Sequence, residues 1–308
     1  MLRSYLFVMI AVVIYAGNLI VGKAINDLPP ITISFFRTAI AFLVVLPFAY
    51  KQFKEHHDVL KSNWKPLLGI GITGIALFNV FVYLSLNFTT TTNAGIMEAT
   101  TPVFTIILGY IFLSERLKKM QLFGVFISLI GAIWVLTNGN LESLFSLNYN
   151  IGDLFMIVAV IIWSIFSILV KLHNHKYPVL GGLLVMLGFG LVILIPLVIG
   201  EWLVLGFPSG LADFNLWLGL IYLGIFPSFI ALMLWNKSVS DLGPSLSSVF
   251  LNFLPFFTAI GAIVFLDESL VMAQILGGLI VIFGVLLVNI DFKKWFNRRN
   301  LKQENKSA

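Results

Sequence analysis

The 308-residue sequence has no cysteine, which excludes disulfides, thiolate metal sites and cysteine nucleophiles. Charge is scarce: Asp, Glu, Lys and Arg make up only 11% of the chain, against about a quarter in an ordinary soluble domain. The four histidines, His56, His57, His173 and His175, all fall in polar connections, so the "HNH" at 173–175 reads as a hydrated loop and no metal site is expected. The H-E-x-x-H and G-x-S-x-G patterns and a Walker A sequence are missing too, which leaves no zinc-hydrolase, serine-hydrolase or ATP-binding motif. No enzymatic activity and no cofactor are expected.

Apolar residues fill the space: 59% of the chain is hydrophobic and the mean hydropathy is +1.00. A bilayer core of about 30 Å is crossed by about 20 residues of helix. Ten such runs can be drawn, roughly 4–25, 31–50, 66–86, 93–113, 120–138, 152–172, 179–200, 216–236, 245–266 and 272–290. Unbroken runs of this length, rather than alternating segments about half as long, argue for helices and against an outer-membrane barrel. The expected fold is therefore an all-α integral membrane protein of ten transmembrane helices. Arg3 ahead of the first run resembles a secretory signal, but no small-residue cleavage site follows, so this segment reads as a retained span.

With ten spans, the termini share one side with the connections at 51–65, 114–119, 172–178 and 237–244. That side holds every Lys and Arg except Lys23 and Arg37. By the positive-inside rule both termini are cytoplasmic, and the net charge of +5 is a topology signal. The tail, 291–308, is a basic cytoplasmic segment suited to anionic lipid. Nucleic acid is not expected as a partner; the lipid bilayer is.

The chain also repeats itself. An offset of 153 residues pairs Pro102 with Pro255, Phe104 with Phe257, Glu115 with Glu268, Gln121 with Gln274, Gly124 with Gly277 and Gly131 with Gly284. A weaker upstream match at 148 pairs Tyr15 with Trp163, Lys23 with Lys171 and Pro30 with Pro178. The chain thus divides into five-helix repeats at 1–138 and 152–290, joined by an external linker at 139–151. Because five is odd, the second repeat enters the membrane from the opposite side, an inverted arrangement characteristic of secondary transporters. It explains why "LSERL" ends the fourth run with Arg116 nearby while "LDESL" ends the ninth with none: basic residues follow the cytoplasmic side.

The "WSIFSILVK" segment, the "GDL" that opens the second half at 152–154, the paired "P…F…E" hairpins and the ten-span duplication resemble the EamA family of the drug/metabolite transporter superfamily. The resemblance covers nearly the whole chain. It implies a metabolite permease of the bacterial plasma membrane, often an exporter, in a family that moves amino acids, other metabolites and drugs, so the substrate does not follow from it; a facilitative channel or a non-transporting membrane subunit are the alternatives. One departure is "YAGN" at 15–18, where many members carry Trp-Gly.

Polar groups inside a span are costly and commonly face a cavity. Gly95, Glu98, Thr101 or Pro102, and Thr105 fall on one helical face of the fourth run, and Ser245, Ser248, Asn252, Pro255 and Thr258 on one face of the ninth. Glu98 has three open readings: a ligand for a cationic group, a carrier of coupling protons, or a partner for Arg37, which itself either pairs or snorkels outward. Pro102 and Pro255 each remove an N–H, so the carbonyls of Glu98 and Leu251 lose their helical donors; these are ligand sites or merely kinks satisfied nearby. Trp64, Trp134, Trp202, Trp217 and Trp295 lie near membrane edges as belt anchors. Tyr15 and Trp163 sit mid-span as pocket walls, Asn18 and Asn79 add amides, and Tyr83 and Trp235, near the ends of their runs, are candidates either for the pocket or for the interface. The candidate substrate site is Tyr15, Asn18, Asn79, Tyr83, Glu98, Trp163, Trp235 and Asn252, with Glu98, Arg37, Pro102 and Pro255 gating or coupling. "GIGITG" at 69–74 matches a dinucleotide loop only as text; inside an apolar run it reads as a close-packing face. The sequence leaves substrate, direction, coupling and oligomeric state open.

Overall fold

The computed structural model describes residues 2–89, 91–137, 139, 140, 142, 150–258, 260 and 272–289. The end of the second hairpin, including Asp267 and Glu268, most of the linker and the basic tail lie outside the described residues. The described chain is helical and contains no strand. Eight helices are long and apolar enough to cross a membrane: Leu2–Ala24, Pro30–Glu55, Trp64–Phe88, Ala94–Leu113, Lys119–Leu136, Ile151–Lys176, Val179–Leu205 and Phe214–Leu242. They match the first eight runs in the sequence. The expected ninth run extends into residues that are not described, and the tenth is helical over Met272–Asn289, with the shorter apolar core Ile275–Val288.

The elements in chain order are α1 (Leu2–Ala24), α2 (Pro30–Glu55), α3 (His57–Ser62), α4 (Trp64–Ile70), α5 (Phe78–Phe88), α6 (Thr91–Glu98), α7 (Thr101–Leu113), α8 (Lys119–Leu136), α9 (Ile151–His173), α10 (Val179–Leu205), α11 (Phe214–Ile225), α12 (Leu232–Leu242), α13 (Pro244–Val249) and α14 (Met272–Asn289). Two π-helical segments interrupt long spans, Gly71–Leu77 between α4 and α5 and Phe226–Ala231 between α11 and α12. The fourth span breaks between α6 and α7, just ahead of Pro102, and the ninth tightens to a 3-10 turn at Phe250–Phe253, just ahead of Pro255. Interruptions in one half thus have counterparts in the other.

The packing repeats the same way. α2 lies against α10 and α8 against α14, each pairing a helix with its own repeat, and α7 of the fourth span lies against α13 of the ninth; α9 on α5 answers α1 on α12. Single hydrogen bonds carry the match further. Lys23 Nζ donates to the Leu86 carbonyl at 2.8 Å, and Lys171 Nζ to the Ser240 carbonyl at 2.8 Å, each near the C-terminal end of a helix where carbonyls lack partners. Asn26 donates to the Leu86 carbonyl as well, and Asn174 to the Ser240 hydroxyl.

At the other helix ends, Glu201 on α10 accepts from the N–H groups of Ile31 and Thr32, which open α2, at 3.0 and 2.8 Å. Gln52 on α2 accepts from the N–H groups of Leu180 and Gly181, which open α10, at 3.0 and 3.2 Å. Neither helix start has a cap from its own preceding residue, so each helix supplies the cap the other lacks. The matched lysines are visible in the sequence, whereas these contacts are not.

Glycine sets the closest approach. A Cβ on Gly124 would lie 2.7 Å from the Gly284 carbonyl oxygen, and one on Gly131 would lie 2.9 Å from that of Gly277. Both distances are closer than carbon and oxygen tolerate, so only glycine lets α8 and α14 pack with their backbones in contact. "GIGITG" behaves likewise: Gly71 faces the Met186 carbonyl, and a side chain at Gly74 would overlap the Phe166 ring.

Candidate functional site

The two π-helical segments meet a small cavity near the centre of the bundle. Gly74 and Ile75 reach it from the first, Pro227 and Ser228 from the second, and Tyr15, Asn18, Arg37, Phe78, Asn79 and Trp163 complete most of its wall. A π turn adds one residue to a helical turn, which redirects side chains and frees backbone groups, and such turns are common at functional sites. Pro227 lacks the N–H that a regular helix would use. Asn79 spends its amide on the Ile75 carbonyl at 2.8 Å, inside the first π segment. The cavity volume is about 30 Å³, room for a water or two but not for a metabolite.

One wall is polar. Arg37 is only 3% exposed. It donates from Nε to Ser228 Oγ at 2.8 Å and from Nη1 to Asn18 Oδ1 at 2.9 Å and to the Tyr83 hydroxyl, while its guanidinium lies 5.6 Å from the Tyr83 ring centre. Tyr83 in turn donates to Asn18 at 3.2 Å, and Ser228 to the Leu223 carbonyl at 2.8 Å. The sequence left open an Arg37–Glu98 pair or an outward snorkel; in the structure Arg37 points inward, and its partners are neutral groups from α1, α5 and the second π segment.

The opposite wall is aromatic. Trp163 lies 4.5 Å from Phe78, 4.9 Å from Phe166, 5.3 Å from Trp235 and 5.7 Å from Tyr15, measured between ring centres. The Tyr15 hydroxyl and the indole nitrogens of Trp163 and Trp235 are buried without a hydrogen-bond partner. A buried unmade hydrogen bond costs about 1–3 kcal/mol, and three together beside a cavity mark a place where a ligand can supply the missing acceptors.

Of the residues singled out from sequence, Tyr15, Asn18, Asn79 and Trp163 line the cavity together with Arg37. Tyr83 bonds to the cavity-lining Arg37 and Asn18, and Trp235 packs on Tyr15 and Trp163. Both are fully buried at 0% exposure, so the interface position considered for them from sequence is wrong: closeness to a helix end does not expose a side chain that faces the bundle. Glu98 is not in the cavity wall. It lies in electrostatic range of Tyr15, as does Arg37, and its Oε2 is buried without a partner.

Asn252 lies elsewhere, donating to Ser128 Oγ at 2.8 Å beneath α8. The carbonyls freed by the prolines are satisfied: Glu98's accepts from Thr101 Oγ1 at 2.5 Å, and Leu251's from the Leu254 N–H. In this structure the prolines make kinks rather than vacant ligand sites. Ser228 was not foreseen from sequence, although "FPSFI" sets a serine after a mid-span proline, a detectable polar signal.

The sequence pattern of the EamA-like transporter family matches residues 2–137 and again 150–290. The chain belongs to this family. It is a membrane transporter with several transmembrane helices. A similar relative is an uncharacterized transporter of Archaeoglobus fulgidus, 28% identical over 92% of this chain and 96% of the relative. Another is a probable terminal-alkyne amino-acid exporter of Streptantibioticus cattleyicolor, 25% identical over 73% of each chain. A protein of known crystal structure superposes with a TM-score of 0.74, covering 93% of this chain and 96% of its own at 19% identity, which establishes the fold of this EamA protein and nothing about its cargo.

Proposed function

We propose that this EamA transporter is a secondary permease of the bacterial plasma membrane, acting as an exporter of small metabolites such as amino acids. Its five-helix halves, 1–138 and 152–290, form ten spans in inverted orientation with both termini cytoplasmic. The halves rock to open the central cavity to alternate sides, with Tyr15, Asn18, Arg37, Asn79, Tyr83, Trp163 and Trp235 around the cargo, Glu98 coupling or gating, and the kinks at Pro102 and Pro255 flexing.

The observation that supports this best is the cavity itself. It lies between the two π segments, one from each half, and carries a buried guanidinium and unpartnered donors. At about 30 Å³ it is too small for a metabolite, so admitting cargo requires the surrounding helices to move, as alternating access supposes. The kinship with an amino-acid exporter points to the same cargo class.

The test is reconstitution into liposomes with a metabolite mixture, following depletion by mass spectrometry with and without a proton gradient. Saturable uptake that accelerates against preloaded cargo is expected. Unsaturable flux without such exchange would identify a channel and sink alternating access.

A further inference from the structure

The central cavity holds a charge, on Arg37, that no carboxylate among the described residues touches at ion-pair distance. Arg37 spends Nε and Nη1 on Ser228, Asn18 and Tyr83, all neutral. The ion pairs among the described residues, Lys51–Glu55, His57–Asp58 and Lys237–Asp241, do not include it, and its Nη2 has no protein acceptor among them. A buried cation without a counter-charge is strongly unfavourable in a nonpolar interior.

Donors outnumber acceptors among the neighbouring unpartnered groups, Glu98 Oε2 being the one acceptor near Tyr15. The unpartnered groups at Tyr15, Trp163 and Trp235 are all able to donate. A cavity with surplus donors and one fixed positive charge suits an anion, and the ring faces of Phe78 and Trp163 beside it suit an apolar body.

We propose that Arg37 is the docking point for a carboxylate, or a chemically similar oxyanion, on the transported molecule, and so selects acidic, partly apolar metabolites over their uncharged relatives. This rests on reading the central cavity as the transport site. The bond to Ser228 is the link from Arg37 to the second half. When the halves separate to admit cargo, that bond opens and Nε joins Nη2 as a free donor, presenting two N–H groups from one guanidinium to two oxygens. The apolar body of the cargo then packs on Trp163 and Phe78. Glu98 Oε2, also buried and unpartnered, is left to meet a cationic group where the cargo has one.

The test uses the full chain in liposomes with the metabolite mixture. Compounds depleted by the wild type should carry an acidic group, and the carboxamide made from each should enter at least about tenfold more slowly, as loss of a charge-assisted hydrogen bond implies. Arg37→Gln should narrow that acid-to-amide ratio and Arg37→Lys should restore part of it. A merely structural arginine would lower both rates together and leave the ratio unchanged, which overturns the proposal. Where Arg37→Gln does not fold, judged by its elution in detergent, the wild-type ratio decides alone: equal entry of acid and amide, or depletion only of amines and neutral compounds, overturns it. Depletion of nothing at all defeats the transport-site reading itself and this inference with it.

Discussion

The two halves agree at their edges and differ at their centre. Lys23 and Lys171, Gln52 and Glu201, and the glycine pairs of α8 and α14 make matched contacts. Around the cavity the polar matches end, although Tyr15 and Trp163 still answer each other as aromatics. At the same offsets that align these contacts, Asn18 corresponds to Phe166, Arg37 to Met186 and Glu98 to Leu251. The first half provides polar groups and the second mostly apolar surface. A frame can be symmetric because packing and helix capping ask the same of both copies, whereas a site for one asymmetric molecule cannot.

That contrast can be broken experimentally. The largest effect is expected at the centre: Glu98→Gln should reduce transport to background or remove its dependence on a proton gradient while the protein still folds, and Leu251→Met at the matched position should leave flux near wild type. Wild-type flux from purified Glu98→Gln at every pH would refute the role given to Glu98. In the frame, by contrast, matched positions should respond alike. Gly131→Leu and Gly284→Leu should each lose about 1–3 kcal/mol by overpacking, seen as similar drops in thermal unfolding temperature; a drop in one alone would mean that the two halves bear load differently.

Smaller effects sharpen the line between frame and site. Tyr15→Phe removes a buried hydroxyl with no partner, so the empty protein should be stabilised by about 1 kcal/mol even as apparent affinity for cargo falls. Lower stability together with unchanged affinity would place Tyr15 in the frame. The smallest change is expected for Glu201→Gln, within about 1 kcal/mol, because Gln52 already caps the opposite end with an amide. A large loss there would show that this cap depends on charge.

Much of the frame was legible in the sequence. Apolar runs mark helices because lipid leaves the backbone no other way to satisfy itself, and Pro102/Pro255 and Gly131/Gly284 betray the duplication because few residue types replace a proline at a kink or a glycine at a backbone contact. The mutual caps were not legible: Gln52 and Glu201 are different residue types, and each acts on a helix start well over a hundred residues away. The site was legible in part. Tyr15 and Trp163 stood out by depth and repeat position, whereas Arg37's partners and the burial of Tyr83 and Trp235 depend on which face each helix turns inward, which distance from a helix end does not encode. The π segments had no signature beyond "GIGITG" and a proline.

The reciprocal caps between α2 and α10 have a consequence for ancestry. In a dimer of two identical chains, one substitution that let a side chain reach its partner's helix start would have created both caps at once, doubling its effect on selection. Once the copies are fused into one gene, the two ends mutate independently. An acid at one end and an amide at the other is then what drift or local adaptation leaves behind.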